Sequence, residues 1–109
     1  MSHHIAAGEL LIDLEYELRT LGLWQNQVPP EEALASTQPF ALDTLTFPQW
    51  IQFVFIARMQ ALIEAKLPLP EQCGIAPMSQ EYFKESHVSG TRVTAIFVSF
   101  DELLSGKPA

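Results

Sequence analysis

A chain of 109 residues has the length of one domain, and at this size about 65% of the unfolded surface is buried on folding, so a core forms without disulfide or metal staples. With 48% hydrophobic and 17% charged residues, the composition excludes a disordered chain. Thirteen acidic residues against six basic ones give a formal charge of -7, which disfavours direct nucleic-acid binding, because that affinity comes from Lys and Arg neutralising phosphates. Residues 1–109 are therefore read as a single domain.

In chain order, Ala7, Leu10, Leu11, Leu14, Leu18 and Leu21 recur at three- and four-residue steps, with Glu9, Asp13, Tyr16 and Arg19 on the far side. This spacing predicts an amphipathic first helix, closed by Gly22, over which Leu23 and Trp24 fold back. Pro29, Pro30, Glu31 and Glu32 predict a short second helix ending by Ser36, since Pro suits a first turn and carboxylates there complement the helix dipole. The stretch from Ser36 to Thr44, rich in hydroxyls with one proline, reads as an ordered loop.

Thr46 as N-cap and Pro48 in the first turn open a long helix to about Lys66, stopped by Pro68 and Pro70. A wheel at ~100° per residue puts Phe47, Ile51, Val54, Ala61, Leu62 and Ala65 on one face and Gln49, Gln52, Gln60 and Glu64 opposite. The 67–76 segment is loop. Pro77 begins a short helix to about Glu85, and Val93, Ile96, Phe97, Phe100, Leu103 and Leu104 predict a last helix ending by Gly106. The β-branched run at Arg92 to Val98 leaves a strand as the alternative there. The expected fold is all-α: a small antiparallel bundle of three main helices plus one or two short ones.

The Trp50 to Leu67 segment is broken by Gln52, Arg58, Gln60, Glu64 and Lys66, so it reads as a core helix and no membrane contact is expected. Cys73 stands alone, and Met1 to Gly8 carries no basic segment followed by an apolar run, which points to the cytoplasm. His3, His4, His87 and Cys73 lack the convergent spacing of a metal site. A Cys73/His87 hydrolase or transferase pair has no diagnostic spacing either. The adjacent carboxylates Glu31/Glu32 and Asp101/Glu102 diverge on a helix and cannot flank one substrate atom. No catalytic residue, metal or cofactor is expected.

Arg58 is the most informative position, because the same wheel centres it on the Phe47, Ile51, Val54, Leu62 face. A buried guanidinium demands a carboxylate, for which Asp43 is the first candidate and Asp13 or Glu17 the next. The plain reading is a structural ion pair tying the loop to the bundle. The sharper one is a small-ligand or anion pocket beneath the Ser36 to Thr44 loop, with Gln38, Asp43, Trp50 and Arg58 as ligand-binding or loop-anchoring residues. Phe53, Ile56 and Ile63 fall inside the polar strip of the long helix. They are read either as an exposed patch for a partner or homodimer, or as residues covered by the short helices.

Ser36-Thr37-Gln38-Pro39-Phe40, Asp43-Thr44, the run from Trp50 to Met59, Leu67-Pro68-Leu69-Pro70 and Ala76-Pro77 together resemble the YqcC-like family across essentially the whole chain. The resemblance implies a small helical bundle with no established biochemical activity, in a family whose genes often neighbour a tRNA pseudouridine synthase. Such synthases use an Asp nucleophile on a much larger α/β domain, so the resemblance implies an accessory role at most. Ala57 stands where the family has a proline and Phe53 where it has a second Trp, which predicts a straighter long helix. The leading expectation is a non-enzymatic protein-interaction module; the alternative is the anion binder around Arg58.

Overall fold

The winding of one helix decides which side chains this protein buries. The computed structural model describes residues 3–35, 44–70, 74–86 and 88–105. Helix α1 (His3–Thr20) is followed by a one-turn α2 (Glu31–Leu34). A continuous rod then comprises α3 (Phe47–Trp50), a π-helical segment (Ile51–Ile56) and α4 (Ala57–Glu64). Helices α5 (Ala76–Lys84) and α6 (Thr91–Ser105) complete the bundle. No strand occurs among the described residues, and Arg92 to Val98 is helical.

Local sequence sets the boundaries. Gly22 (φ 74°) ends α1 in a left-handed turn in which the Leu23 and Gly22 amides donate to the Leu18 and Arg19 carbonyls. Thr46 caps α3 reciprocally with Gln49, each side chain accepting from the other's backbone amide. Lys66 (φ 57°) closes α4 as Gly22 closes α1: the Leu67 and Lys66 amides donate to the Leu62 and Ile63 carbonyls.

Helix α1 packs on α6 and α4, and α5 packs on α6. Ala7, Leu11, Leu14 and Leu18 of α1 meet Val93, Phe97, Phe100 and Leu104 of α6 in the core, the lines that the three- and four-residue spacing predicts. Phe47 is the hub of an aromatic cluster, with ring centroids 5.6 Å from Tyr82, 6.3 Å from Phe83 and 6.2 Å from Phe97. Phe55 extends it edge-on to Phe97 and Phe100 at 5.3 and 5.2 Å. Between α5 and α6 the fully buried Ser79 hydroxyl bonds the Thr94 hydroxyl at 2.7 Å, so this buried polar group is satisfied.

In the long rod Phe47, Ile51, Phe55 and Met59, four residues apart, are all buried, with Gln52 and Ile56 beside them. An α-helix rotates a four-residue line by ~40° at each step, so such a line drifts off the core. The wider turns of the π segment cancel that drift. Trp50 and Phe55 record the change: five positions apart, they stack at 5.8 Å and 30°, where a regular helix would hold them ~140° apart.

Three expectations from the wheel are corrected by this extra winding. Arg58 is exposed and Met59, 2% accessible, takes the inward place. Ile56, placed by the wheel in the polar strip and read there as either exposed or covered, is covered and lies in the core at 3%. Gln52, read as polar surface, is buried and holds the Gln25 backbone at both ends: its Oε1 accepts from the Gln25 amide at 2.9 Å and its Nε2 donates to the Gln25 carbonyl at 2.6 Å. Val54 is half-buried, and Ala61 and Ala65 are exposed. The π segment forms with Ala57, not a proline, at its C-terminal end.

Candidate interaction surface

The expected anion pocket loses its floor with Arg58 turned outward, and among the described residues Arg58 makes no ion pair. Gln38 and Asp43 lie outside the described residues, as do Cys73 and His87. Of the proposed carboxylate partners, Glu17 is buried on α1 and faces Arg92 of α6, with Oε2 3.8 Å from Nη1, while Asp13 is exposed. Trp50 is half-buried between Phe47 and Phe55, stacking on Phe47 at 6.2 Å and 8°. It anchors the start of the rod to the aromatic cluster. Phe53 and Ile63 are half-buried.

A different feature emerges on the outer side of α1. Opposite its buried line, Ile5, Ile12 and Tyr16 are 74%, 70% and 65% accessible, three of the six exposed large hydrophobics among the described residues. Leu67, at 50%, is a fourth, and the His4 ring bonds its carbonyl at 2.7 Å, joining the start of α1 to the end of α4. Between these helices runs a groove of about 780 Å³ lined by Ile5, Gly8, Ile12, Ile63, His4, Glu9 and Lys66. On the other flank of α1, against α6, a cleft of about 480 Å³ has Ala6, Leu10 and Leu103 together with Glu9, Asp13, Glu102 and Ser99.

Of the residues singled out from sequence as interaction candidates, only Ile63 lines this groove. The stripe itself was legible: Ile5 and Ile12 are two helical turns apart and Tyr16 one turn further, a second apolar line on α1. Tyr16 hides it in the sequence by falling among Glu9, Asp13 and Arg19, the residues that mark that side as polar.

Among the described residues no group of three or more His, Cys, Asp or Glu is placed to hold a metal ion, and no helix is long and apolar enough to cross a membrane. Residues 6–103 match the family model DUF446, described as tRNA pseudouridine synthase C. The chain is 39% identical over 93 residues to an uncharacterized protein of Haemophilus influenzae, covering 85% of this chain and 87% of that one. It is 34% identical over 105 residues to the uncharacterized protein YqcC of Escherichia coli, covering 96% of each. A tRNA pseudouridine synthase C of Pectobacterium carotovorum is 44% identical over 70 residues, which are 64% of this chain and 19% of that longer one. The solution NMR structure of E. coli YqcC superimposes with a TM-score of 0.84 at 31% identity, covering 100% of this chain and 93% of that one. By sequence over nearly its whole length and by fold, the chain belongs to the YqcC-like family.

Proposed function

We propose that this protein is a non-enzymatic accessory module that works by protein contact, and that its partner is a tRNA pseudouridine synthase. The observation that carries the reading is the Pectobacterium relative, in which the segment matching this chain makes up only 19% of a longer chain named for that enzyme. A module joined to a larger protein in one chain meets it at high effective concentration; the same module as a separate chain needs a contact surface of its own. The exposed stripe of α1 is such a surface, since soluble monomers seldom leave contiguous apolar area in water. With a net charge of -7 the chain is poorly suited to hold tRNA itself, and contact with a tRNA-binding protein is the role its charge favours. Since tRNA is modified in the bacterial cytoplasm, this reading places the chain there.

The test is co-expression of the intact chain with the tRNA pseudouridine synthase C of the same bacterium, followed by size-exclusion chromatography with light scattering. A complex whose mass is the sum of the two is expected. Separate elution at about 10 µM of each, a concentration that resolves contacts of ordinary strength, refutes the proposal.

A further inference from the structure

We infer that the outer face of α1 is the docking surface of this protein, and that its occupant is a basic amphipathic helix of a partner protein. The inference deepens the accessory reading and rests on it for the existence of a protein partner. Ile5, Ile12 and Tyr16 span ~16 Å of one helix face, the length of three turns of a helix laid alongside. Ile63 of α4 forms the opposite wall, so the groove offers apolar contact from two sides.

Gly8 lies between Ile5 and Ile12 in the floor of that groove. A glycine inside a helix weakens it relative to alanine, and nothing lies within 4 Å of where a Gly8 Cβ would sit. Internal packing therefore gives no reason for the missing side chain. A notch at this point lets a partner backbone or a large apolar side chain approach α1 closely.

Charge selects the occupant. Glu9 lines both the groove and the neighbouring cleft, where Asp13 joins it beside the apolar Leu10 and Leu103. Lys66 stands on the α4 wall of the groove, so the acidic edge is the α1 side, at Glu9 and Asp13. A helix with Leu-like residues on one side and Lys or Arg along the edge would place the first in the notch and the second against these carboxylates. A second copy of this chain brings -7 against -7 and more carboxylates to the same edge. An anionic membrane is repelled by the same residues.

The probe is a Leu/Lys amphipathic helical peptide of about 14 residues, ~21 Å long as a helix, titrated into the intact isotope-labelled chain and followed by NMR, with a Leu/Glu peptide of the same pattern as control. Saturable shifts on 5–16, Ile63 and Lys66 are expected with the basic peptide and none with the acidic one. Gly8→Leu fills the notch and is expected to weaken binding at least about tenfold while melting at or a few degrees above the parent, since it replaces a helix-interior glycine, and Glu9→Lys with Asp13→Lys to weaken it similarly. Should Gly8→Leu melt lower than the parent, Ile12→Asp at the exposed rim reads out the same loss. Equal binding of the acidic peptide, undiminished binding by these variants, shifts centred on another face, or concentration-dependent self-association through the same residues would each overturn the inference. Specific peptide docking without synthase binding overturns the accessory reading alone. Synthase binding undiminished by Gly8→Leu overturns the face alone.

Discussion

Met59 and Arg58 are neighbours that exchange places between a regular α-helix and the wider-wound one observed, so truncating each to alanine reads the winding directly. Met59 is 2% accessible in the core cluster, whereas Arg58 is exposed and makes no ion pair among the described residues. Met59→Ala removes the buried side chain beyond Cβ and leaves a cavity, costing about 3 kcal/mol on the scale of buried large-to-alanine changes. At roughly 4 °C per kcal/mol for a domain of this size, that lowers the melting midpoint by about 12 °C. Arg58→Ala changes nothing packed and stays within about 0.5 kcal/mol, or ~2 °C. Met, Arg and Ala are all good helix formers, so intrinsic propensity does not confuse the comparison. Thermal unfolding followed by circular dichroism measures both. A larger loss for Arg58→Ala than for Met59→Ala would refute the extra winding and restore the inward guanidinium.

Gly90 precedes α6, and a Cβ placed there would run into the Phe83 ring, so Gly90→Ala is expected to cost at least about 2 kcal/mol. Adding Phe83→Leu should recover part of that loss in a double-mutant cycle by thermal unfolding. Ser79→Ala leaves the Thr94 hydroxyl without its buried partner and is expected to cost about 1 to 2 kcal/mol by urea unfolding. Lys66→Gly relieves a left-handed residue at the end of α4 and should raise stability by about 1 kcal/mol.

The helices were legible where the period is regular and the punctuation strong. Ala7, Leu11, Leu14 and Leu18 in α1, and Val93, Phe97, Phe100 and Leu104 in α6, follow an α-helical spacing and are buried as that spacing requires. Gly22 marks the end of α1, and Thr46 with Pro48 the start of the long rod, by chemistry that hardly depends on tertiary context. The long helix was legible as a helix and misleading as a wheel. Its apolar residues are so dense that the period is hidden, and the four-residue line from Phe47 through Ile51 and Phe55 to Met59 shows only once the rod is seen against α5 and α6. The fixed 100° step moved Arg58 inward and Ile56 outward. The same error placed Gln52 in solvent, although a side-chain amide has both the donor and the acceptor needed to pair with the backbone at Gln25. On α1 the exposed apolar stripe is hidden in the sequence because, beside the stronger core line, its residues resemble scattered surface apolar positions, which by themselves call for no explanation.

The most direct measurement is a calorimetric titration of the intact chain into the full-length tRNA pseudouridine synthase C of the same bacterium at two salt concentrations. Saturable binding near one-to-one, weakened by added salt as the carboxylates of α1 are screened from a basic partner, is the expected result. Absence of binding heat together with separate elution of the two proteins, at concentrations where the folded chain is intact, would contradict it.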